Sequence, residues 1–250
     1  MGDYFSKEWS GDPFVLFNTP HLIALGVILM VNILIVVFRK RFSPKGKVTL
    51  RYALAAILVI VETSWHVWNY AIGDWTIQTM LPFHLCSALV GLSAYMLVTK
   101  NCRIYEFAYF LGIAGAMQAL LTPDAGMYGF PHFRAFQVMM SHGAIITAAI
   151  TMTFVEGFRP TWNSVKRVFI GTNIYMIIIF ILNQLIGSNY LFIAHKPETA
   201  SLMDILPAWP WYILVIEVIA VVLCLLLYLP WALKDRRAGL QKTLPMIPAA

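Results

Sequence analysis

Residues 209–231, WPWYILVIEVIAVVLCLLLYLPW, decide the fold class, because Glu217 is the only charged residue in this long apolar run. A helix needs about 20 mostly apolar residues to cross a bilayer, and this run has that length. Six further runs qualify. The sequence therefore predicts seven membrane-spanning helices, at residues 21–38, 53–72, 81–98, 104–121, 135–155, 168–187 and 209–231.

The composition supports a membrane protein and excludes other classes. Hydrophobic residues make up 60% of the 250-residue chain and charged residues only 12%, whereas soluble domains carry about 25% charged residues. Three cysteines are too few for a secreted disulfide scaffold. No signal peptide is expected, because residues 1–18 lack a basic region before an apolar core. We expect one all-α domain over residues 1–250, a polytopic seven-helix transmembrane bundle.

The basic residues predict the orientation of the bundle. Cytoplasmic loops carry an excess of Lys and Arg. Fifteen of the 18 basic residues fall in alternate loops and in the C-terminal tail: Arg39, Lys40, Arg41, Lys45, Lys47, Arg51, Lys100, Arg103, Arg159, Lys166, Arg167, Lys234, Arg236, Arg237 and Lys242. Only Lys7, Arg134 and Lys196 fall on the other side. This predicts an outside N-terminus, a cytoplasmic C-terminus and a multi-pass protein of the cell (plasma) membrane. It also explains the net charge of +6 without a nucleic-acid partner.

Polar side chains inside the predicted spans concentrate in one half of the bilayer. Ionisable groups within spans are expensive and mark functional sites by default. Counting along each helix places the polar groups between the membrane centre and the outer surface: Glu62, His66, Asn69, His84, Cys86, Ser87, Gln118, Gln137, His142, Asn183, Gln184 and Glu217. We expect an outward-facing polar cavity. The alternative is a set of interhelical hydrogen bonds that only rigidify the bundle.

Within this set, helix 2 carries a polar stripe. Glu62, His66 and Asn69 share one helical face, so that Glu62 could accept a proton from His66 and orient its ring. A buried Glu–His pair with a purely structural role is the alternative.

The segment LPFHLCS, residues 81–87, predicts a reactive cysteine. Pro82 suits a first helical turn, whose free N–H groups could stabilise an oxyanion. Cys86 would need a base, and His142 on helix 5 lies at a similar depth. His84 is two residues from Cys86 and faces the other side, so it is a supporting residue. Packing is the more common role of a buried cysteine, and it is the role expected for Cys102 and Cys224.

Several motifs give the chain a family resemblance. They are LPFHLC at 81–86, YEF at 105–107, ALLTPD at 119–124, GFPHFR at 129–134, SHG at 141–143, TFVEG at 153–157, GSNY at 187–190 and KP at 196–197. Together they resemble the YwaF-like family of bacterial integral membrane proteins over nearly the full length.

That family is similar, more distantly, to an animal transmembrane acyltransferase family that remodels ether phospholipids and is linked to the androgen-induced hydrolases of lipid esters. The resemblance implies a nucleophile at Cys86 and a base at His142. The androgen-induced hydrolases use Thr as nucleophile, so the cysteine assignment rests on the nearer relatives.

The sequence thus favours a lipid acyltransferase or lipid-ester hydrolase acting on membrane phospholipid or lysophospholipid, with no cofactor and no metal. Glu62, His66, His84 and Ser87 would support Cys86 and His142. Substrate binding would fall to Asn69, Gln118, Gln137, Asn183, Gln184 and Glu217.

Two other function classes stay open. One is a transporter or ligand-binding membrane protein, in which Glu62 and Glu217 would hold a cation or relay protons. The other is a metal hydrolase built from His66, His84, His142 and Glu62, although no compact H-x-x-x-H or H-E-x-x-H pairing is present. The lipid headgroup, the acyl-chain preference and the oligomeric state do not follow from the sequence.

Overall fold

Seven long helices make up most of the computed structural model, which describes residues 3–197, 202–237 and 239. They are α1 (Thr19–Phe38), α2 (Pro44–Ala71), α3 (Leu85–Thr99), α4 (Cys102–Leu121), α5 (Phe133–Phe154), α6 (Trp162–Ile186) and α7 (Trp211–Arg237). No strand occurs among the described residues. Six of these helices are long and apolar enough to cross a membrane, and the 15-residue α3 is shorter. The predicted all-helical membrane fold is confirmed at this level.

Two helices begin six or more residues earlier than the sequence predicts. α2 starts at Pro44 rather than at residue 53, because the Ser43 side chain caps the helix by accepting from Gly46 N at 3.1 Å. α6 starts at Trp162 rather than at residue 168, behind a capping box formed by Thr161 and Ser164. A search for apolar runs finds only the apolar part of each helix and misses polar turns at its ends. Basic residues that the sequence assigned to loops, such as Arg51, are therefore helical. The predicted tail residue Lys242 lies outside the described residues.

α3 begins later than predicted. The expected start at residue 81 is wrong, and so is the placement of Pro82 in the first turn, because His84 is extended (φ −65°, ψ 146°) and the helix starts at Leu85. Tyrosine hydroxyls hold the preceding segment in a non-helical path. The Tyr190 hydroxyl accepts from Leu81 N at 2.8 Å, and the Tyr175 hydroxyl donates to Phe83 O at 2.9 Å. The second contact uses the Phe83 carbonyl, which would accept a helix hydrogen bond from residue 87, and the first anchors an N–H that has no acceptor within a helix.

The centre of the bundle is α5, which packs against α1, α2, α3 and α4. In its most apolar stretch 72% of the residues are buried, compared with 11% in α6 and 11% in α7. Two glycines allow close approach: a Cβ at Gly143 would lie 3.0 Å from the Ile28 side chain, and one at Gly112 would lie 3.0 Å from Ile145. α6 and α7 therefore stand at the edge of the bundle as loosely packed walls, which leaves room for a cavity.

α4 is irregular in its middle. Residues Ala108–Gly112 form a π-helical segment between two α-helical parts. The wider turn carries Tyr109, whose hydroxyl donates to Leu227 O on α7 at 3.0 Å and accepts from Trp231 Nε1 at 2.9 Å. Such segments occur often at functional sites. Here it ties α7 to the rest of the bundle.

Ion pairs concentrate at one end of the bundle. Glu106 is fully buried and accepts two hydrogen bonds from the guanidinium of Arg167, one of them from Nε at 2.7 Å. Glu156 pairs with Arg51 at 3.2 Å and with Lys100 at 2.8 Å. Because a buried carboxylate is stable only when it is paired, the Glu106 pair joins α4 to α6, and the Glu156 pairs join α2 to the ends of α3 and α5.

The N-terminal segment covers the opposite end. Trp68 Nε1 donates to Phe5 O at 2.9 Å, and His132 lies between Ser6 O and the backbone of α5. His132 Nδ1 accepts from Arg134 N at 3.1 Å, so Nε2 carries the proton that reaches Ser6 O. Burial lowers the pKa of His132 below its usual value, which agrees with a neutral ring in this position.

Replacing Glu106 tests the buried ion pair. Glu106→Ala leaves the Arg167 guanidinium without its carboxylate, and we expect a loss of about 2 kcal/mol of stability, seen as a melting temperature several degrees lower. Thermal unfolding of the purified protein in detergent measures the shift. Glu8→Ala, which removes an exposed carboxylate, is the control and should leave the melting temperature unchanged. Equal melting temperatures for all three proteins would contradict a stabilising role.

Candidate functional site

A cavity of about 1020 Å³ lies between α2, α3 and α5 on one side and α6 and α7 on the other. Polar side chains line it where α2 ends and α3 and α5 begin, among them Glu62, His66 and Arg134. Apolar side chains of α6 and α7, such as Phe169 and Val221, line the facing walls. The cavity is amphipathic and has the size of a small-molecule pocket.

Nine of the twelve site residues that the sequence singled out line this cavity. They come from four predicted spans and the segment before α3: Glu62, His66, Asn69, His84, Cys86, Ser87, Gln137, His142 and Glu217. Chain segments far apart in sequence thus supply one lining. Most of the polar residues that counting along the helices placed at a common depth therefore line one cavity.

The other three do not line it. Gln118 and Gln184 are exposed on the outside of the bundle. Asn183 is buried, and its side chain makes three hydrogen bonds to the loop after α6: Oδ1 accepts from Ser188 Oγ at 2.7 Å and from Tyr190 N at 2.9 Å, and Nδ2 donates to Tyr190 O at 2.9 Å. Asn183 therefore holds this loop and does not face the cavity.

That loop forms a roof over the cavity, with Leu191, Phe192 and Ile193 in the lining. Leu191 (φ 60°) and Phe192 (φ 52°) are in the left-handed region, which is costly for side chains of this kind. The Phe192 ring lies 5.0 Å from the His84 ring, and Phe192 O accepts from the Tyr212 hydroxyl. A strained backbone held by this many contacts fixes the position of the roof.

Cys86 and His142 lie at about the same height in the bundle. A Cβ at Gly115 would lie 3.7 Å from the side chain of Leu85, the neighbour of Cys86, and Gly112 contacts Ile145 on α5. Gly112 and Gly115 are three residues apart on α4, so these contacts place Cys86 and His142 within about one helical turn, roughly 5 Å, along the bundle axis. Both side chains are partly buried and face the cavity.

The hydrogen bond of His142 determines its tautomer. Nδ1 lies 2.7 Å from Val138 O. Because a carbonyl oxygen only accepts, Nδ1 carries the proton, and in the neutral ring Nε2 has a free lone pair. The second ring nitrogen is therefore in the form that a general base requires.

The predicted Glu62–His66 pair is looser than a hydrogen bond. His66 Nε2 lies 3.8 Å from Glu62 Oε1. The ring is oriented instead by Trp75, whose Nε1 donates to His66 Nδ1 at 3.0 Å. Glu62 is placed to interact with Ser87 on α3 and with Arg134 on α5. Its charge also acts on Cys86.

Arg134 is a site residue that the sequence reasoning missed, since it was counted only as an outer basic residue. Its guanidinium lies 4.0 Å above the Trp65 ring and donates to Gln137 Oε1 at 2.5 Å and to Asp124 O at 2.7 Å. The cavity therefore contains a positioned cation next to Glu62. Its place in the GFPHFR stretch, directly before a span, was the available signal.

Metal binding finds no support in this arrangement. Among the described residues, no group of three or more His, Cys, Asp or Glu side chains is placed to hold a metal ion. The four residues of the metal-hydrolase alternative, His66, His84, His142 and Glu62, line one cavity but do not converge on one point.

Comparison with known proteins gives a family. The model of the TMEM164 family matches residues 16–228, which is most of the chain, so the chain belongs to this transmembrane family. No curated protein and no solved structure matches it.

Asn183 and Gln184 allow a matched test of the roof. Asn183→Ala removes three hydrogen bonds from the loop and should lower the melting temperature by several degrees, since buried amides lose about 1–3 kcal/mol with their partners. Gln184→Ala changes an exposed neighbour and should have no effect. Thermal unfolding in detergent checks both variants, and a larger shift for Gln184→Ala would contradict this account of the loop.

Proposed function

We propose that this member of the TMEM164 family is a membrane-embedded lipid acyltransferase or lipid-ester hydrolase, with Cys86 as nucleophile and His142 as general base. One observation carries the proposal. The Nδ1–H of His142 is held by Val138 O, so that Nε2 is free to accept a proton in the cavity that Cys86 also lines. A cysteine nucleophile needs such a base, because the thiolate is the reactive form.

The reaction would proceed in two steps, acylation of Cys86 and its deacylation. His142 Nε2 takes the Cys86 proton, and the sulfur attacks the carbonyl carbon of a lipid ester. The carbon–oxygen bond of the ester breaks, and the leaving alkoxide takes the proton from His142 to give an alcohol and a Cys86 thioester. Water or the hydroxyl of a lysolipid then attacks the thioester, and His142 accepts its proton. The carbon–sulfur bond breaks, the Cys86 thiolate takes the proton back from His142, and the acid or the new ester leaves.

The first turn of α3 supplies stabilisation for the developing oxyanion. The backbone N–H groups of this turn have no acceptor within the helix. His84, at the N-cap position, makes no side-chain hydrogen bond to them. Cys86 belongs to this turn, so these donors lie beside the sulfur. Preorganised donors of this kind lower the barrier of acyl transfer.

The amphipathic lining favours membrane lipids as substrates. Polar groups on α2 and α5 suit a headgroup or ester, and the apolar walls of α6 and α7 suit an acyl chain. His84, Ser87, Glu62 and His66 would bind or orient polar parts of the substrate. Asn69 and Gln137 lie in the same lining, although the Asn69 amide donates to Trp65 O at 2.8 Å.

A second candidate is a transporter or ligand-binding protein, and one observation favours it. The lining extends from Asp124 near the start of α5 to Trp162 and Lys166 in the first turns of α6, so the cavity runs along much of the bundle. Saturable uptake that persists in Cys86→Ala would support transport.

We also propose a family branch, a membrane and an orientation for the chain. We infer that it belongs to the YwaF-like bacterial branch. We further infer that it crosses the plasma membrane seven times, with the N-terminus outside. The alternating basic loops support this orientation. α3 is about 22 Å long, and Arg51 in the first part of α2 donates to Leu97 O near the end of α3, an antiparallel arrangement that supports a return across the bilayer.

Loss of the nucleophile should abolish acyl transfer. In purified protein incubated with phospholipid, Cys86→Ala should lower lipid turnover by at least about 100-fold, and His142→Ala by a similar factor, because general-base catalysis contributes roughly 10²–10⁴-fold. Intact mass spectrometry with and without hydroxylamine should detect a labile acyl adduct on Cys86 that requires His142.

Cys224→Ala is the control, since Cys224 is a core residue of α7 that also touches the cavity. Lipid turnover by Cys224→Ala should stay within about twofold of that by the parent protein. Undiminished turnover in Cys86→Ala would remove this mechanism.

Fusion reporters test the proposed topology. Alkaline phosphatase joined after Gly73 should be active, because this point lies outside, and a fluorescent protein joined after Lys100 should fluoresce, because this point lies in the cytoplasm. The reversed pattern would contradict the orientation. Alkaline phosphatase joined after Lys100 should be inactive, and activity of this reporter at both points would show that α3 does not cross.

A further inference from the structure

Glu217 is a carboxylate in the wall of the cavity that the proposed acyl-transfer chemistry does not use. It is partly buried in the first half of α7 and faces the cavity. The neighbouring lining residues on α7, Ile213, Ile216, Ala220 and Val221, are apolar. A carboxylate in such surroundings is expensive to maintain, and within a membrane helix it marks a functional position by default.

The helix opposite Glu217 presents a polar residue at the same height. The rings of Trp162 on α6 and Tyr228 on α7 lie 5.8 Å apart and fix the register of the two antiparallel helices. Asn173 follows Trp162 by eleven residues and Glu217 precedes Tyr228 by eleven, which is about 16 Å of helix in each case. Asn173 and Glu217 therefore form one polar level between otherwise apolar walls.

Of the Arg and Lys side chains around the cavity, Arg134 and Lys196 are held by other groups, and Lys166 lies at a different height. The Arg134 guanidinium is held by Gln137, Asp124 O and the Trp65 ring on the opposite side. Lys196 donates to Leu206 O at 2.7 Å and is not part of the lining. Lys166 lines the cavity about 10 Å along α6 from Asn173. Within the described part of the chain, Glu217 takes part in no ion pair.

We propose that Glu217 is the counter-ion for an ammonium group carried by an amphipathic ligand whose chain lies between α6 and α7. The carboxylate faces a space bounded by apolar side chains, so the ligand that fits combines a cation with a hydrocarbon chain. Asn173 supplies an amide oxygen at the same level, because its Nδ2 is used by Phe169 O. This inference deepens the proposed function, and it rests on that function for the placement of a chain in the cavity.

Binding of dodecylammonium and dodecanol measures the contribution of charge. Both are added to protein in nanodiscs of zwitterionic lipid at pH 7, and the melting temperature is followed against their mole fraction. The Cys86→Ala background is used so that no thioester forms. We expect half-saturation with dodecylammonium at a mole fraction about tenfold lower than with dodecanol, as for a hydrogen bond between charged groups.

Variants separate the site from general effects of charge. Glu217→Gln should abolish the preference for dodecylammonium, and Glu217→Asp, which keeps the charge, should retain most of it. Glu8→Gln makes the same charge change at an exposed position and should leave the preference intact. Equal half-saturation of the two ligands in the parent, or an unchanged preference in Glu217→Gln, would overturn the proposal.

A second ligand pair identifies the source of the ammonium. Lysophosphatidylethanolamine preferred over lysophosphatidylglycerol in a Glu217-dependent manner supports a headgroup amine, and a preference limited to dodecylammonium supports a long-chain amine. Because these measurements need no turnover, the two proposals fail separately. If no acyl adduct forms but the ammonium preference is present, the chain is a binding protein and not an acyl-transfer enzyme. If the adduct forms but the ammonium preference is absent, only the proposed role of Glu217 is removed.

Discussion

The close packing of α5 against four other helices is the constraint on which the rest of the molecule depends. Gly143 lets α1 approach, and Gly112 on α4 leaves room for Ile145. With no hydrophobic driving force between helices in lipid, the close approach that small residues allow is a main source of association. Once α1 to α5 are held in this way, α6 and α7 bury much less of their length than α5 does, and the cavity lies between them and α2, α3 and α5.

The ends of α6 and α7 are accordingly where specific polar contacts occur. Glu106 reaches Arg167 near the start of α6, the Tyr109 hydroxyl reaches Leu227 O near the end of α7, and Asn183 holds the loop that follows α6. Between these points the two helices face the cavity mainly with apolar side chains, interrupted by polar residues such as Asn173 on α6 and Glu217 on α7. This division explains how one cavity has a polar side, supplied by α2, α3 and α5, and an apolar side, supplied by α6 and α7.

Much of this could be predicted from the sequence, because a bilayer imposes a simple rule on apolar length. Each of the seven helices overlaps an apolar run that predicted it, and depth along each span, which is countable, placed Cys86 and His142 at similar levels. Rotation about each helix axis is not countable in this way. Gln118 and Gln184 have suitable depth but face outwards, and Arg134 was overlooked because it was treated as a loop residue. The start of α3 was missed because distant tyrosines, Tyr175 and Tyr190, hold the residues before it.

The fixed roof has a consequence for how the cavity exchanges its contents. Leu191 and Phe192 are locked in a costly backbone conformation by neighbours on several elements, whereas α6 and α7 have few packing partners along their length. If a lipid of the proposed kind cannot pass the roof, it must enter and leave between α6 and α7, directly from the bilayer. For such a protein the relevant concentration of a ligand is its mole fraction in the bilayer and not its concentration in water. Saturation then follows surface dilution, so adding inert lipid lowers occupancy even when the amounts of protein and ligand stay the same.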